Sequence, residues 1–175
     1  MSAGRIASRL YELRTYSLRM DQMRHFLAGT ETLFHLRTQH SPLIGYWTAE
    51  LGGLNQVVHV WEYDDLSHRA TVRGKLAADE EWTQKYVTPV LSPALVAQDN
   101  FLMRPLDGTT VSMPTDTGVT ELQQLELRGP TTFSARSQSI MHASHPSEDF
   151  DQQLMEHVRT GHSKLLLPLK VSPIQ

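Results

Sequence analysis

A β-hairpin is predicted by the stretch Leu43-Ile-Gly-Tyr-Trp-Thr-Ala-Glu-Leu-Gly-Gly-Leu-Asn-Gln-Val-Val-His-Val-Trp-Glu-Tyr63. Residues 56–63 are rich in Val, Trp and Tyr, which favour strands, and residues 43–50 form the preceding strand. Residues 51–55 contain two glycines and an asparagine, which accept the backbone conformations of a tight turn. The two strands are therefore expected to lie antiparallel in one sheet.

Further elements flank this hairpin on both sides. Apolar residues alternate in strands and recur at three- and four-residue spacing in helices. Asp64 or Asp65 is a natural N-cap for the helix after the hairpin, and Leu66, Ala70 and Leu76 are expected to face inward from it. The predicted elements are a strand at 10–17, a helix at about 21–39, the hairpin, a helix to about 78, a short helix at 80–86, short helical turns at 88–97 and a strand at 99–104.

The order of these elements indicates the fold class. A strand, a helix, two strands, a helix and a strand form the split β-α-β unit of ferredoxin-like domains. We therefore predict an α+β protein whose antiparallel sheet carries its helices on one face.

A truncated second copy of the unit is predicted after this first domain. Residues 119–128 align with residues 10–19, and residues 164–167 before a proline resemble residues 100–104 before a proline. A weak helix at 131–145 and a helix that Ser147 caps lie between them. The counterpart of the hairpin and its following helix is absent. The predicted organisation is a domain at 10–105, a linker at 106–118 and an incomplete repeat at 119–175, and chance similarity of two short strands is the alternative.

The shortened repeat bears on oligomeric state. Two strands alone are marginally stable in water. The second unit is therefore expected to lean on the first or on a partner, which favours a homodimer or a pseudo-dimer.

Composition excludes several functional classes. The 175-residue chain has a net charge of −3 and no cysteine, and its isoelectric point is near 6.3. We therefore expect no nucleic-acid partner and no thiolate metal site. No apolar run reaches the length of about 20 residues that a membrane-spanning helix needs.

His59 and Trp61 are the main candidates for a functional face. They alternate with two valines, so both point to the sheet face opposite those valines. With Asn55, they could line a pocket between the sheet and a second sheet, and the other candidate lining residues are Glu12 and Arg14, or Tyr46 and Glu50. The alternative is that they are packing residues that join two sheets.

A small basic face is predicted on the helix after the hairpin. Arg69 and Arg73 lie one turn apart. Such a face is usually solvated or paired with acids, although an anionic partner is conceivable.

Two histidine pairs, His35 with His40 and His142 with His145, lack accompanying carboxylates and are interpreted as solvated. No phosphate loop, nucleophile elbow or zinc signature occurs, so we predict no cofactor and no catalytic residue, and we lean against an enzyme.

The residues resemble those of a known family, NIPSNAP. The resemblance rests on the motifs Tyr11-Glu-Leu-Arg-Thr-Tyr16, Leu43-Ile-Gly-Tyr-Trp47, Gly53-Leu-Asn-Gln-Val-Val-His-Val-Trp-Glu-Tyr63, Arg69-x-x-x-Arg73 and Asp79-x-x-Trp82. It implies tandem ferredoxin-like domains related to the dimeric α-β barrels. It also implies protein binding in mitochondrial quality control or vesicular transport, without an established catalytic mechanism.

The chain departs from that family pattern in two places. Its second unit lacks the hairpin that would match residues 43–63, and its N-terminus lacks a long basic transit segment. The expected location is therefore the mitochondrion by resemblance, or the cytosol because no full transit peptide is visible. The alternative function is a small-molecule binder or an enzyme similar to the cofactor-independent monooxygenases of the dimeric α-β barrel type.

Overall fold

The computed structural model describes residues 9–105, 118–127, 138–142 and 158–173. Its strands are β1 (Leu10–Leu18), β2 (Leu43–Leu51), β3 (Gln56–Tyr63), β4 (Leu95–Met103), β5 (Thr120–Leu127), β6 (Gln138–His142) and β7 (Val158–Pro168). Its helices are a 3₁₀ turn (Met20–Gln22), α1 (Met23–Leu33), α2 (His35–Thr38), α3 (Leu66–Ala78), α4 (Glu80–Trp82), a π-helical segment (Thr83–Leu91) and α5 (Ser92–Ala94).

All the strands belong to one antiparallel sheet in the order β4-β1-β3-β2-β7-β5-β6. The four strands β4-β1-β3-β2 are the ferredoxin-like arrangement, which confirms the predicted fold class. Strand β7 then pairs with the outer edge of β2, where Thr48 lies opposite Leu167 and Ala49 opposite Leu166. The second part of the chain therefore extends the sheet of the first part.

Local sequence explains how the hairpin turns and where α3 begins. Gly52 and Asn55 have φ values of 81° and 56°, which glycine and asparagine tolerate better than other residues. Asp65 caps α3, because its Oδ1 accepts a hydrogen bond from the His68 backbone N–H at 2.7 Å. Both features agree with the sequence prediction.

The two faces of the sheet have separate cores. We call the side under the helices the helix-covered face and the other side the inner face. The buried residues of the helix-covered core are Leu10, Tyr16, Leu18, Phe26, Phe34, Leu36, Leu43, Tyr46, Val57, Trp61, Tyr63, Val72, Trp82, Tyr86, Val90 and Ala94. The buried residues of the inner core are Tyr11, Leu13, Ile44, Trp47, Ala49, Val58, Val60, Leu122 and Leu166. Because Leu122 and Leu166 come from β5 and β7, the second part of the chain helps to bury the inner face.

Some predicted elements were wrong. Residues 138–142 form β6 where a weak helix was expected, and β7 begins at Val158, where the next helix was expected to continue. Pairing with β5 explains both, because tertiary contacts override weak local preferences. The rest of these two helices, at 131–137 and 143–157, lies outside the described residues.

Helix α3 packs differently from the prediction. Leu66 is 56% exposed and Ala70 is exposed, whereas Leu76 packs against the helix-covered core as predicted, and the fully buried residue of α3 is Val72. Residues 106–117 of the predicted linker lie outside the described residues, so the domain boundaries stay a prediction.

Among the helices of the described ranges, none is long and apolar enough to cross a membrane.

Candidate functional site

A row of polar and aromatic side chains crosses the helix-covered face. Asn100 lies opposite Arg14, Arg14 lies opposite His59, and His59 lies opposite Tyr46, in β4, β1, β3 and β2. Residues directly opposite each other in antiparallel strands present their side chains to the same face. The register of the sheet therefore brings together four residues that are far apart in sequence.

Glu12 is the hub of a buried polar network beside this row. Its side chain is 1% exposed. Arg69 donates to it from Nε at 3.1 Å and from Nη2 at 2.7 Å, and Asn100 donates from Nδ2 at 2.7 Å. Tyr63 donates its hydroxyl to Oε2 at 3.2 Å. Four hydrogen bonds from three residues thus satisfy both carboxylate oxygens.

The network keeps Glu12 ionised. Burial favours the neutral acid and raises its pKa, but the hydrogen bonds from Arg69 and Asn100 and the charge of Arg14 outweigh burial, so the pKa lies below its usual value. A negative carboxylate under two guanidinium groups holds those groups in place.

Arg37 joins the network from the side of α2. It is buried, donates from Nη2 to the Tyr63 hydroxyl at 3.2 Å and from Nη1 to Ser41 Oγ at 2.9 Å. Its guanidinium carbon lies 3.6 Å from the centre of the Trp61 ring, which is a cation–π contact. Arg37 was not among the residues predicted from the sequence. The available signal was its helical spacing, since Arg37 follows the buried Phe34 by three residues.

His59 is buried in its neutral form. Its Nδ1 accepts a hydrogen bond from Trp61 Nε1 at 2.6 Å, so the proton of the neutral ring is on Nε2. Burial and the charges of Arg14 and Arg37 hold its pKa well below the usual value. Nε2 has no hydrogen-bond partner among the described residues, and the ring packs between Tyr16 and Tyr46.

A cleft of about 410 Å³ opens where this network reaches the surface. It is lined by Arg14, Arg69, Arg73, Gln98, Asp99 and Asn100. Arg14 comes from β1, Arg69 and Arg73 come from consecutive turns of α3, and the other three residues come from β4. We call it the arginine cleft. It brings together three of the residues that were predicted from the sequence.

The other predicted residues are placed differently. Glu12, Tyr46, His59 and Trp61 are buried between the sheet and the helices, although an open or sheet-covered face was expected for them. Val58 and Val60, which alternate with His59 and Trp61 along β3, are buried in the inner core, so His59 and Trp61 point to the helix-covered face. That expectation is therefore corrected: these four side chains lie under the helices.

Glu50 and Asn55 take no part in this network among the described residues. Glu50 is exposed near the end of β2. Asn55 lies in the hairpin turn, where its backbone carbonyl accepts a hydrogen bond from the Leu18 N–H at 2.8 Å.

No group of three or more His, Asp or Glu side chains suited to a metal ion occurs in the part of the chain that the structure describes. The chemistry of the site is therefore that of arginine, amide and carboxylate groups.

Known proteins are similar to the part of the chain that holds this site. A family model described as NIPSNAP matches residues 11–108. Protein NipSnap homolog 3A of Homo sapiens is 34% identical over 159 residues, and Protein NipSnap homolog 3B of Mus musculus is 33% identical over 159 residues. Each of these alignments covers 89% of this chain and 59% of the relative, so the chain spans about three-fifths of their length.

Solved structures agree with this comparison. An uncharacterized NIPSNAP-like domain protein from Burkholderia xenovorans is 34% identical, with a TM-score of 0.56, and the match covers 62% of this chain and 93% of that chain. A monooxygenase candidate from Lactobacillus acidophilus matches with a TM-score of 0.58 over 92% of this chain and 94% of that chain. Its identity is 9%, so it shows the fold alone.

Proposed function

The chain belongs to the NIPSNAP family, and we propose that it is a non-enzymatic protein that acts by associating with protein chains through the free edge of β4. The proposal rests on one observation, which is that the edge of β4 is unpaired and unprotected among the described residues. Strand β4 spans nine residues and is paired only with β1 among the described residues. Its sequence, Leu-Val-Ala-Gln-Asp-Asn-Phe-Leu-Met, contains no lysine and no proline.

Such an edge is suited to strand addition. Unpaired backbone groups on an edge strand are a template for another chain, and proteins usually block them with lysine, proline or a covering element. On β4, Val96, Phe101 and Leu102 are exposed by 66%, 41% and 46%. The opposite edge of the first four strands, on β2, is already covered by β7.

The occupant that we propose is β4 of a second copy of this chain. A two-fold axis would place the two strands antiparallel. If that axis passes beside Asn100, Asp99 of one copy lies opposite Phe101 of the other, so no like charges face each other. We therefore propose the association at β4 and not at His59 and Trp61, whose burial removes them from any partner's reach.

The cellular role that we propose for this association is mitochondrial quality control or vesicular transport. Family membership supports it, and the location is the mitochondrion or the cytosol. The test is to locate the tagged full-length chain in cells. Localisation to neither the mitochondrion, the cytosol nor transport vesicles would overturn this part of the proposal.

Sedimentation velocity tests the association itself. The wild-type chain is expected to form a dimer whose fraction rises with concentration. Phe101→Lys and Val96→Lys should shift the chain to the monomer, because lysine on an edge strand opposes pairing. Leu54→Lys is the matched control, since Leu54 is 79% exposed in the hairpin turn. A wild-type monomer at every concentration, or variants that dimerise as the wild type does, would contradict the proposal.

Binding of a small molecule is the second candidate function. The observation that favours it is the arginine cleft, whose three guanidinium groups come from two elements that Glu12 ties together. An activity like that of the cofactor-independent monooxygenases receives no support beyond the fold, because the similarity to the Lactobacillus protein shows the fold alone.

A further inference from the structure

The arginine cleft carries more positive than negative groups. Three of its lining residues are arginines, and one, Asp99, is an acid. Glu12 lies beneath them, where it is 1% exposed. Because the arginines outnumber these two carboxylates, the cleft has a surplus of positive charge that faces its opening.

Much of the hydrogen-bonding capacity of these arginines is unused. Arg69 spends Nε and Nη2 on Glu12, which leaves its Nη1. Arg14 donates from Nη2 to Gln98 at 2.8 Å, and its buried Nε forms an ion pair with Glu12 Oε1 at 4.0 Å, which leaves its Nη1. Arg73 makes no hydrogen bond or ion pair among the described residues. Each guanidinium group therefore keeps donors for a ligand.

We propose that the arginine cleft binds the phosphate monoester group of a small molecule. This inference rests on the second candidate function, small-molecule binding, and goes beyond the proposed association through β4. It assigns the chemical class of the ligand and the residues that recognise it. Arg14, Arg69 and Arg73 bind the phosphate oxygens.

The number of donors favours phosphate over carboxylate. A carboxylate has two oxygens, and one arginine can saturate them in a bidentate pair. Three guanidinium groups around one opening suit a group with three terminal oxygens and a charge between −1.5 and −2, the usual range for a phosphate monoester at about pH 7. Arginine is also the residue that recognises phosphate with directed, paired hydrogen bonds.

The size and chemistry of the cleft restrict the rest of the ligand. Its volume of about 410 Å³ lies at the lower end of small-molecule sites. Asn100 on one wall keeps its amide oxygen for a hydroxyl group, since its Nδ2 donates to Glu12, and Gln98 keeps its amide N–H donors, since its Oε1 accepts from Arg14. The expected ligand is thus a small hydroxylated phosphate.

A soluble metabolite and the headgroup of a phospholipid share this chemistry. We therefore use glycerol 3-phosphate as the soluble probe, measured by isothermal titration calorimetry with the full chain. Phosphatidylcholine vesicles that contain phosphatidic acid are the lipid probe, measured by co-sedimentation. Saturable binding of either probe supports the phosphate assignment. The probe that binds shows whether the phosphate belongs to a soluble metabolite or to a phospholipid. Binding of neither probe overturns it.

Arg73→Gln is the informative variant, because Arg73 is exposed and makes no hydrogen bond or ion pair among the described residues. Loss of one charged partner should weaken binding of the responding probe by about tenfold or more. Arg24→Gln, which removes an exposed arginine from α1, should leave binding unchanged. Equal effects of the two variants would show general charge attraction and overturn the site.

A titration with succinate distinguishes failure of the phosphate assignment from failure of small-molecule binding. Binding of glycerol 3-phosphate with no response to succinate supports the phosphate class. Equal binding of succinate that Arg73→Gln also weakens would overturn the phosphate class while leaving small-molecule binding intact. No response to either molecule or to the vesicles would overturn both.

Discussion

Arg69 binds both oxygens of Glu12, with Nε at 3.1 Å from Oε2 and Nη2 at 2.7 Å from Oε1. This bidentate pair joins α3 to β1 across 57 residues of sequence. Asn100 adds β4 to the same carboxylate. One acidic side chain therefore holds the helix, the central strand and the edge strand that together build the arginine cleft.

Replacing Glu12 should destabilise the fold. Glu12→Ala removes the buried carboxylate that accepts hydrogen bonds from Arg69, Asn100 and Tyr63. Breaking such a pair from one side costs about 3–5 kcal/mol. The expected result is a drop of about 3 kcal/mol in the free energy of unfolding, measured by urea denaturation. Glu81→Ala is the control, since its exposed pair with Lys85 contributes less than about 1 kcal/mol. Equal losses in the two variants would show that Glu12 is not a structural hub.

Acid should weaken the same network. Because the pKa of Glu12 lies below its usual value of 4.5, the folded chain resists protonation there more than the unfolded chain does. Its stabilising contribution is complete above about pH 4.5 and is lost as pH falls through the folded-state pKa. Urea midpoints between pH 5 and pH 3 should fall less steeply in Glu12→Gln than in the wild type. Parallel slopes would contradict this.

His59 should add a pH dependence at higher pH. Its pKa is held well below 6.5 in the folded chain. Between these two values the unfolded chain takes up a proton that the folded chain does not, so the free energy of unfolding falls as pH falls below about 6.5. The slope from this group is at most about 1.4 kcal/mol per pH unit. It should be absent from His59→Gln and present in His35→Gln, which changes an exposed histidine of α2, when urea melts at pH 7.5 and 5.5 are compared. A wild-type slope in His59→Gln would mean that another group is responsible.

Two neighbouring leucines of β7 should differ in their effect on stability. Leu166 is 1% exposed in the inner core, whereas Leu167 is 36% exposed on the other face. Leu166→Ala is expected to cost about 2–5 kcal/mol of unfolding free energy. Leu167→Ala is expected to cost less than about 1 kcal/mol. Thermal or urea melts of the full chain measure both, and similar values would mean that β7 does not bury Leu166 against the sheet.

The sequence predicted the first unit well because its signals are local. The turn glycines, the alternating strand at Tyr11 to Tyr16 and the Asp65 cap each depend on neighbours within a few residues. The same locality explains what failed. Alternation shows that His59 and Trp61 share a face, but it does not show which face the helices cover when both faces have an apolar core.

Long-range contacts account for the remaining differences. Arg37 joins the site through Tyr63 and Trp61, which are brought to it by the packing of α2 on the sheet. The strand at 138–142 depends on pairing with β5, which no local pattern reveals. The arginine cleft could not be predicted, because it depends on the register of β4 on β1. Its Arg69 and Arg73 were predicted as neighbours from helical spacing alone.

Strand β7 closes the edge of β2, which leaves β4 as the free edge of the first unit. Because the chain has no cysteine, two introduced thiols report the register without interference. Thr48 and Leu167 lie directly opposite each other, within the separation that a disulfide spans. Leu165 lies two residues further along β7, beyond that separation.

The decisive measurement is therefore the free-thiol content of two double variants after mild oxidation, read by mass spectrometry of the monomer. Thr48→Cys with Leu167→Cys should lose both thiols to an intramolecular disulfide. Thr48→Cys with Leu165→Cys should keep them. If the first pair stays reduced, or if both pairs oxidise equally, β7 does not hold this register on β2 and the assignment of β4 as the free edge fails.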